Sequence, residues 1–479
     1  MMGGFFLIGV YVAGALGVLS LILMYAFSDA PLWNIMGNKA WETNTNFILI
    51  AVPLFLLMGE LMLRSGMGEK MYSSVSRWIS FLPGGLIHTN IASCAIFAAC
   101  SGSSVATSAT ISRVSLPTFR QRGYSERLVI GSLAAGGTLG ILIPPSIGLI
   151  VYGVLVEESI GRLYLAGFIP GIMLALMMMA MIVGAAILFP SIAPKEPGTS
   201  WRLKFIGLFA MIPVVIIILV VLGSIYAGWA TPTEAAAFGV TGALVLAMIN
   251  NSGPSIMGWF LNLVNGSGSS TGMLAKWQER YPVVDGNLRQ SMMVNYDMIK
   301  TSILSAVRTS SMIMLIVVSA FTLSFAFARL GISHDISQWI IGMELSGTQL
   351  VIVLVIFYLL LGTFMESFAM LVTTVPILAP ALVATGVDLV WFGIIMVILV
   401  EAALISPPEG INLYVLHGVR RDVQAEMAEA AGAAEQVGTI TDVYIGVLPF
   451  MAVMAVMIAA LIIFPDIALF LPDLVKGAR

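Results

Sequence analysis

Ser101, Ser103 and Ser104 surround one glycine in "CSGSSVATSAT" (Cys100–Thr110), a hydroxyl-rich island in a strongly apolar stretch. Hydroxyls in membrane helices commonly bond the preceding turn's carbonyl, which accounts for Thr107, Ser108 and Thr110. A glycine among serines instead favours an unwound hairpin tip. Unwound carbonyls and serine hydroxyls suit a hard cation such as sodium, and free helix N-termini suit a carboxylate. "GTFMES" offers a second tip, with Gly362, Thr363, Glu366 and Ser367. A glutamate at membrane depth is costly and so functional by default. The alternatives for Glu366 are the outer interface or a structural pair with Arg308 or Arg329.

Two apolar helices are broken by adjacent prolines, "LIPPSIGLIVYGV" (Leu142–Val154) and "LISPPEGINLYVL" (Leu404–Leu416). Each Pro-Pro removes two backbone donors. Lipid cannot satisfy the carbonyls left behind, so protein or a water-filled cavity must cover them. Pro144, Pro145 and Ser146 in the first break correspond to Ser406, Pro407, Pro408, Glu409 and Asn412 in the second. Carbonyls freed there and aimed at the tips would complete two cation cages. Glu60 and Glu401 also interrupt apolar runs, but the sequence assigns neither a role.

Other chemistries lack their residues. His88, His334 and His417 are scattered without ligand spacing, which argues against zinc. Cys94 and Cys100 share an apolar stretch and read as small packing residues. "GMGEK" does not match a P-loop, so uphill transport would draw its energy from elsewhere than ATP hydrolysis by this chain. An intramembrane hydrolase with Ser103 as nucleophile would need a nearby base, and no histidine or lysine is suitably placed. A purely structural subunit would leave two polar broken helices unexplained. The net charge of -3 says little about partners, and no nucleic-acid partner is expected.

The elements that must hold these residues are membrane helices. The chain has 479 residues, 59% of them hydrophobic and 10% charged, with a mean hydropathy of +1.00. Apolar runs from Phe5 to Phe464 predict about a dozen segments at membrane depth. The first run has no basic region before it and reads as a retained helix. Basic loops at "FRQRGYSER", "KEPGTSWRLK" and "HGVRRD" are cytoplasmic by the positive-inside rule, which puts "VLVEES" and "GWATPTEAAA" outside. The tip-to-break spacing repeats: 42 residues from Gly102 to Pro144, and 45 from Gly362 to Pro407. The first copy turns at a basic loop and the second at "PALVATGVDLV", which has none, so the repeats read as inverted.

The expected fold is therefore an all-α polytopic membrane protein with inverted repeats, two re-entrant hairpins and two Pro-broken helices. The division is 1–80 scaffold helices, 81–167 first transport repeat, 168–250 arm helices and 251–300 a Gly/Ser/Asn-rich cytoplasmic linker or insertion. Residues 301–345 return to scaffold, 346–420 form the second transport repeat and 421–479 the C-terminal helix and tail. Within the linker, "PSIMGWFLNLV" offers a short interfacial helix, with a mobile loop as the plainer reading.

"IAVPLFLLMGELM", "FLPGGLIHTNI", "CSGSSVATSAT", "LIPPSIGLIVYG", "LAGFIPG", "TPTEAAA" and "SPPEGINLYV" together resemble the large membrane subunit of the tripartite ATP-independent periplasmic transporters. The resemblance follows chain order everywhere except about 251–294. It implies a fold of the elevator type and sodium-coupled import of an organic anion, a sialic acid or C4-dicarboxylate among others, across the bacterial inner membrane, with no cofactor beyond the coupling ion. It further implies a small four-helix membrane subunit and a soluble periplasmic binding protein as partners, besides lipid. Carried over by motif, one sodium site would use Ser101, Ser103, Gly140, Ile143 and Pro145. The other would use Gly362, Thr363, Met365, Ala403, Ser406 and Pro408. Ser104, Thr107, Ser146, Glu366 and Asn412 would lie toward the substrate. Glu366 stands where the family often has aspartate, keeping the charge with a longer reach. The nearest rival is a stand-alone sodium–dicarboxylate or citrate symporter of related architecture.

Overall fold

The computed structural model describes residues 10–28, 32–194, 196, 198–265, 288–408, 410–431 and 438–477. Among these the chain is helical throughout, and its centre is built from the two proline-broken helices. The first runs as α7 (Glu126–Leu142) and the second as α16 (Leu389–Leu404). Every residue from Leu128 to Leu142, and every one from Val390 to Leu404, is buried. Helices apolar on all sides belong inside. By contrast, α10 (Trp201–Tyr226) exposes Phe205, Phe209, Ile216 and Leu219, as a lipid-facing surface would.

The first tip joins α5 (Leu86–Ser101) to α6 (Ser104–Gln121). Gly102 ends α5 in the left-handed region, φ 57°, and its N–H bonds Ala98 O. A side chain there would be strained, which is why glycine sits at this position. Ser103 is extended, and its Oγ accepts the N–H of Ala106 (3.4 Å), capping α6. Helix α7 stops where Pro144 and Pro145 have no N–H to give. Ser146 then caps α8 (Ile147–Val156), accepting the N–H of Leu149 (3.2 Å), and the chain bends by 41°.

The second half repeats this order. Helix α14 (Gly347–Leu361) starts with a capping box between Ser346 and Gln349. Residues 362–366 form the tip, and the Glu366 carboxylate caps α15 (Ser367–Ala384) by accepting the N–H of Ala369 (2.9 Å). Asp388 caps α16, and the break at Pro407-Pro408 leads into α17 (Ile411–Ala431). Both Pro-Pro bonds are cis.

The remaining helices flank this core. They are α1 (Val12–Ala26), α2 (Met36–Asn44), α3 (Ala51–Arg64), α4 (Met67–Ile79), α9 (Ile160–Leu188), α11 (Pro232–Asn265), α12 (Leu288–Arg329), α13 (Ile332–Ile341), α18 (Ile440–Ile463) and α19 (Asp466–Gly477). Five helices among the described residues are long and apolar enough to cross a membrane, or up to eight if each bent pair is one span. The expected dozen segments include pieces that are shorter. Helices α1, α5, α14 and α16 have 10–17 residues, below the ~20 a full span needs.

Helix also runs further into the expected linker than its composition indicates. The segment "PSIMGWFLNLV" continues α11 and does not stand as a separate helix, and α12 begins at Leu288. Residues 288–300 contain no glycine or proline, so nothing local stops that helix. Residues 266–287 lie outside the described residues, as does Glu409.

Candidate functional site

Both tips open on one cavity of about 810 Å³. Tip one supplies Ser101, Gly102, Ser103 and Ser104, and tip two supplies Glu366, Ser367 and Phe368. Ile147 and Ile411, the first residues of α8 and α17, bring both breaks to the same wall. The rest of the lining comes largely from α1, from Gly59 and Glu60 of α3, and from α12 residues including Thr309, Ser311 and Met312. The first residues of four helices, α6, α8, α15 and α17, thus line one space large enough for a small organic molecule, with the N-termini of α6 and α15 on the two tips. No Lys, Arg or His is among the described residues that line it.

The first proposed cage is brought together tightly. A Cβ on Gly140 would lie 3.5 Å from both Ser103 C and Ser104 N, and one on Gly102 would lie 3.7 Å from Pro145 O. Ser101 Oγ and Thr107 Oγ1 are 2.6 Å apart, and Thr107 Oγ1 donates to Ser103 O (2.8 Å). Ile143 lies in the break, with its side chain on Gly171 of α9.

The second set is brought together in part. A separate small cavity, about 50 Å³, is lined by Gly362, Met365, Glu366, Ala403 and Ile411 among others. That volume holds a water or a small ion. Thr363, Ser406 and Pro408 do not line it. Thr363 Oγ1 donates to Leu360 O (2.7 Å), Ser406 O accepts the N–H of Gly410 (2.9 Å), and Pro408 O accepts the hydroxyl of Tyr414 (2.8 Å).

Of the residues set toward the substrate, Ser104 and Glu366 line the large cavity. Thr107, Ser146 and Asn412 do not. Ser146 is used within the break, capping α8 and donating to Ile141 O. Asn412 Nδ2 donates across the molecule to Ala134 O (3.1 Å) on α7. One turn after a break a side chain faces a direction that spacing alone does not give, and here Ile411 takes the cavity side.

Glu60 is a cavity residue to which the sequence assigned no role. Its Oε1 accepts the Ser305 hydroxyl (2.7 Å) and its Oε2 pairs with Arg64 Nε (3.1 Å). Arg64, four residues on, is the signal that marked it as a helix-face ion pair. With Glu60 compensated in this way, Glu366 is the cavity carboxylate on the second tip.

Comparison with known proteins agrees with this architecture. The chain matches the family described as "Tripartite ATP-independent periplasmic transporter, DctM component" over residues 1–467. It is similar to the C4-dicarboxylate TRAP transporter large permease protein DctM of Vibrio cholerae, with 29% identity over 99% of this chain and 96% of the relative. The sialic acid TRAP transporter large permease protein SiaM of the same organism is 28% identical over 90% of this chain and 88% of its own length. The ectoine TRAP transporter large permease protein TeaC of Halomonas elongata is 28% identical over 89% of this chain and 86% of its own length. In fold, the chain resembles the Alcanivorax borkumensis YdaH transporter, with a TM-score of 0.61, 13% identity, and coverage of 96% of this chain and 98% of that one. A multi-pass protein of the bacterial inner membrane, the chain belongs to the DctM component family, the large permease subunits of tripartite ATP-independent periplasmic transporters.

Proposed function

We propose that the chain carries an organic anion inward with sodium, by an elevator movement of the two tips and broken helices against the flanking helices. The observation that supports this most directly is the single cavity shared by both tips, with two helix N-termini facing it. Glu366 already places its own carboxylate at the N-terminus of α15. That leaves the N-terminus of α6, with the Ser103 and Ser104 hydroxyls, for the substrate's carboxylate. The substrate's hydroxyl or amide donors would then face Glu366.

Sodium would occupy the packed oxygens around Ser101, Ser103, Gly140 and Pro145, and the small cavity at Gly362, Met365 and Ala403. Each ion would hold a tip against its break and so complete the substrate site. A periplasmic binding protein would deliver the anion, a small four-helix subunit would brace the flanking helices, and the chain would do no catalysis. The relatives' names include C4-dicarboxylate, sialic acid and ectoine, which share a carboxylate, so the reading is of a carboxylate class and not of one compound.

The test is uptake into proteoliposomes holding the chain and its small subunit. Labelled sialic acid and C4-dicarboxylates are offered with and without an inward sodium gradient, and with binding protein added or omitted. Uptake that needs both supports the proposal. Uptake that needs sodium alone favours a stand-alone symporter, and uptake indifferent to sodium removes the coupling.

A further inference from the structure

Glu401 is the deepest carboxylate among the described residues. It lies in α16, two residues before Ala403, and is fully buried. Its Oε1 accepts the backbone N–H of Leu142 (3.1 Å), 259 positions away and directly before Ile143 in the other half's break. Its Oε2 is buried with no hydrogen-bond partner among the described residues. No described salt bridge includes it. An acid in this setting carries a desolvation cost that an apolar residue of similar size would not. Packing therefore does not explain it.

What the position does explain is a connection. One end of Glu401 is its own backbone, two residues from Ala403 and the small cavity beside Gly362. Its other end is fixed to Leu142, next to Ile143 and near Gly140, against which tip one packs. Asn412, on the far side of the same second break, makes a parallel connection to Ala134 of α7. The second break is thus tied to α7 on both sides by polar side chains that cross between the halves. Through these ties, a shift of the second break on ion entry moves the backbone that shapes the first cage.

We propose that Glu401 is a positioning residue that couples the two ion sites, Oε1 holding Leu142 so that filling one cage prepares the other. This rests on the two-sodium reading above. Coupling of this kind between two sites is typically 5–150-fold. The required atom is an acceptor, so glutamine serves and an apolar side chain does not.

The test compares Glu401→Gln and Glu401→Met in the detergent-purified full chain with its small subunit. It uses sodium chloride titrations with choline chloride as the control, read as thermal-melt shifts and then as sodium activation of uptake. Expected for Glu401→Met is a half-saturating sodium concentration raised about tenfold, with a Hill coefficient falling toward 1. Its sodium-free melting temperature should stay close to that of the parent, the relieved desolvation of the carboxyl offsetting the acceptor lost to the Leu142 N–H. Glu401→Gln should keep the parent's sodium response within about twofold.

An unchanged sodium response in Glu401→Met overturns the proposal. So does a Glu401→Gln as impaired as Glu401→Met, or a Glu401→Met whose only defect is a lower sodium-free melt. A parent protein whose melt ignores sodium overturns the two-sodium reading itself, and the coupling with it, a result that no variant comparison can mimic. If Glu401→Met does not insert, Asn412→Leu removes the parallel tie and carries the same expectations.

Discussion

Gly59 is where α3 meets tip one, and an added methyl there tests whether that contact moves during transport. A Cβ on Gly59 would sit 2.6 Å from Ser101 O and 2.7 Å from Ser101 Cα. Comfortable carbon contacts begin near 3.5 Å, so the two walls must part by about 1 Å. Both contacted atoms are backbone, held by a helix end that Gly102 closes in the left-handed region, so no side-chain rotation relieves the clash. Overpacking of this kind costs about 1–3 kcal/mol. If it falls on one of two interconverting conformers, it shifts their ratio by roughly 5–150-fold. Gly59→Ala should therefore slow initial uptake into proteoliposomes by at least about fivefold. Gly37→Ala is the control, because nothing lies within 4 Å of a Cβ built there. Gly59→Ala uptake within twofold of the parent, at equal insertion, would refute the reasoning that this contact belongs to the transport cycle.

Four other substitutions probe the tips and the packing at the start of α5. Ser103→Ala removes a proposed sodium ligand and the cap of α6, so sodium activation should need roughly tenfold more ion. The cap loss should cost about 1 kcal/mol in a denaturation series, and an unchanged activation curve would sink the ligand assignment. Gly362→Ala puts a Cβ 2.7 Å from the Ala403 Cβ, against the wall of the small cavity. The Hill coefficient for sodium should drop while half-saturation for substrate at high sodium moves little, and equal damage to both would count against a separate ion site. Tyr124→Phe removes a hydroxyl that donates to Glu196 (2.7 Å) and accepts the N–H of Leu86 (3.2 Å) at the start of α5. The Glu196 side chain is only 5% exposed, so the melt should report a loss of about 1–3 kcal/mol. Glu196→Gln keeps an amide oxygen for Tyr124 but gives up the ion pair with Arg122, so it should lose at least as much, and a smaller loss would contradict that geometry.

The tips and breaks were legible because backbone chemistry marks them locally. Gly102 is the residue that a left-handed helix end prefers, Ser103 and Ser146 are caps, and paired prolines cannot continue a helix wherever the chain goes next. Contacts between halves were not legible. Glu401 and Leu142 are 259 positions apart, and Asn412 and Ala134 are 278 apart. No period or spacing reports which face of α16 meets α7. The same limit explains why Asn412, read toward the substrate, turns to α7 instead, and why Glu60 passed as an unassigned interruption. Composition misled at the linker for another reason. The Gly/Ser/Asn content of 251–300 averages over helix ends that carry their own helix-forming residues, as at 288–300.

The halves share an order of elements but not the same spare room, and this follows from how each tip closes. Tip one turns on a single left-handed glycine, and its oxygens already meet one another, Ser101 on Thr107 and Thr107 on Ser103. Gly140 and Gly59 let neighbouring backbone press on it from both sides, and a Cβ on Gly137 would collide with Ser108 beneath it. An ion entering there must exchange ligands with existing hydrogen bonds. Tip two spans 362–366, is capped by a long acidic side chain, and keeps a cavity of its own beside Ala403. An ion entering there needs only to shed water. Two proposed ion sites that sequence symmetry makes equivalent are thus chemically unequal. The substitutions at Ser103 and Gly362 should therefore fail differently, the first by weakening sodium binding at an existing network and the second by filling a space.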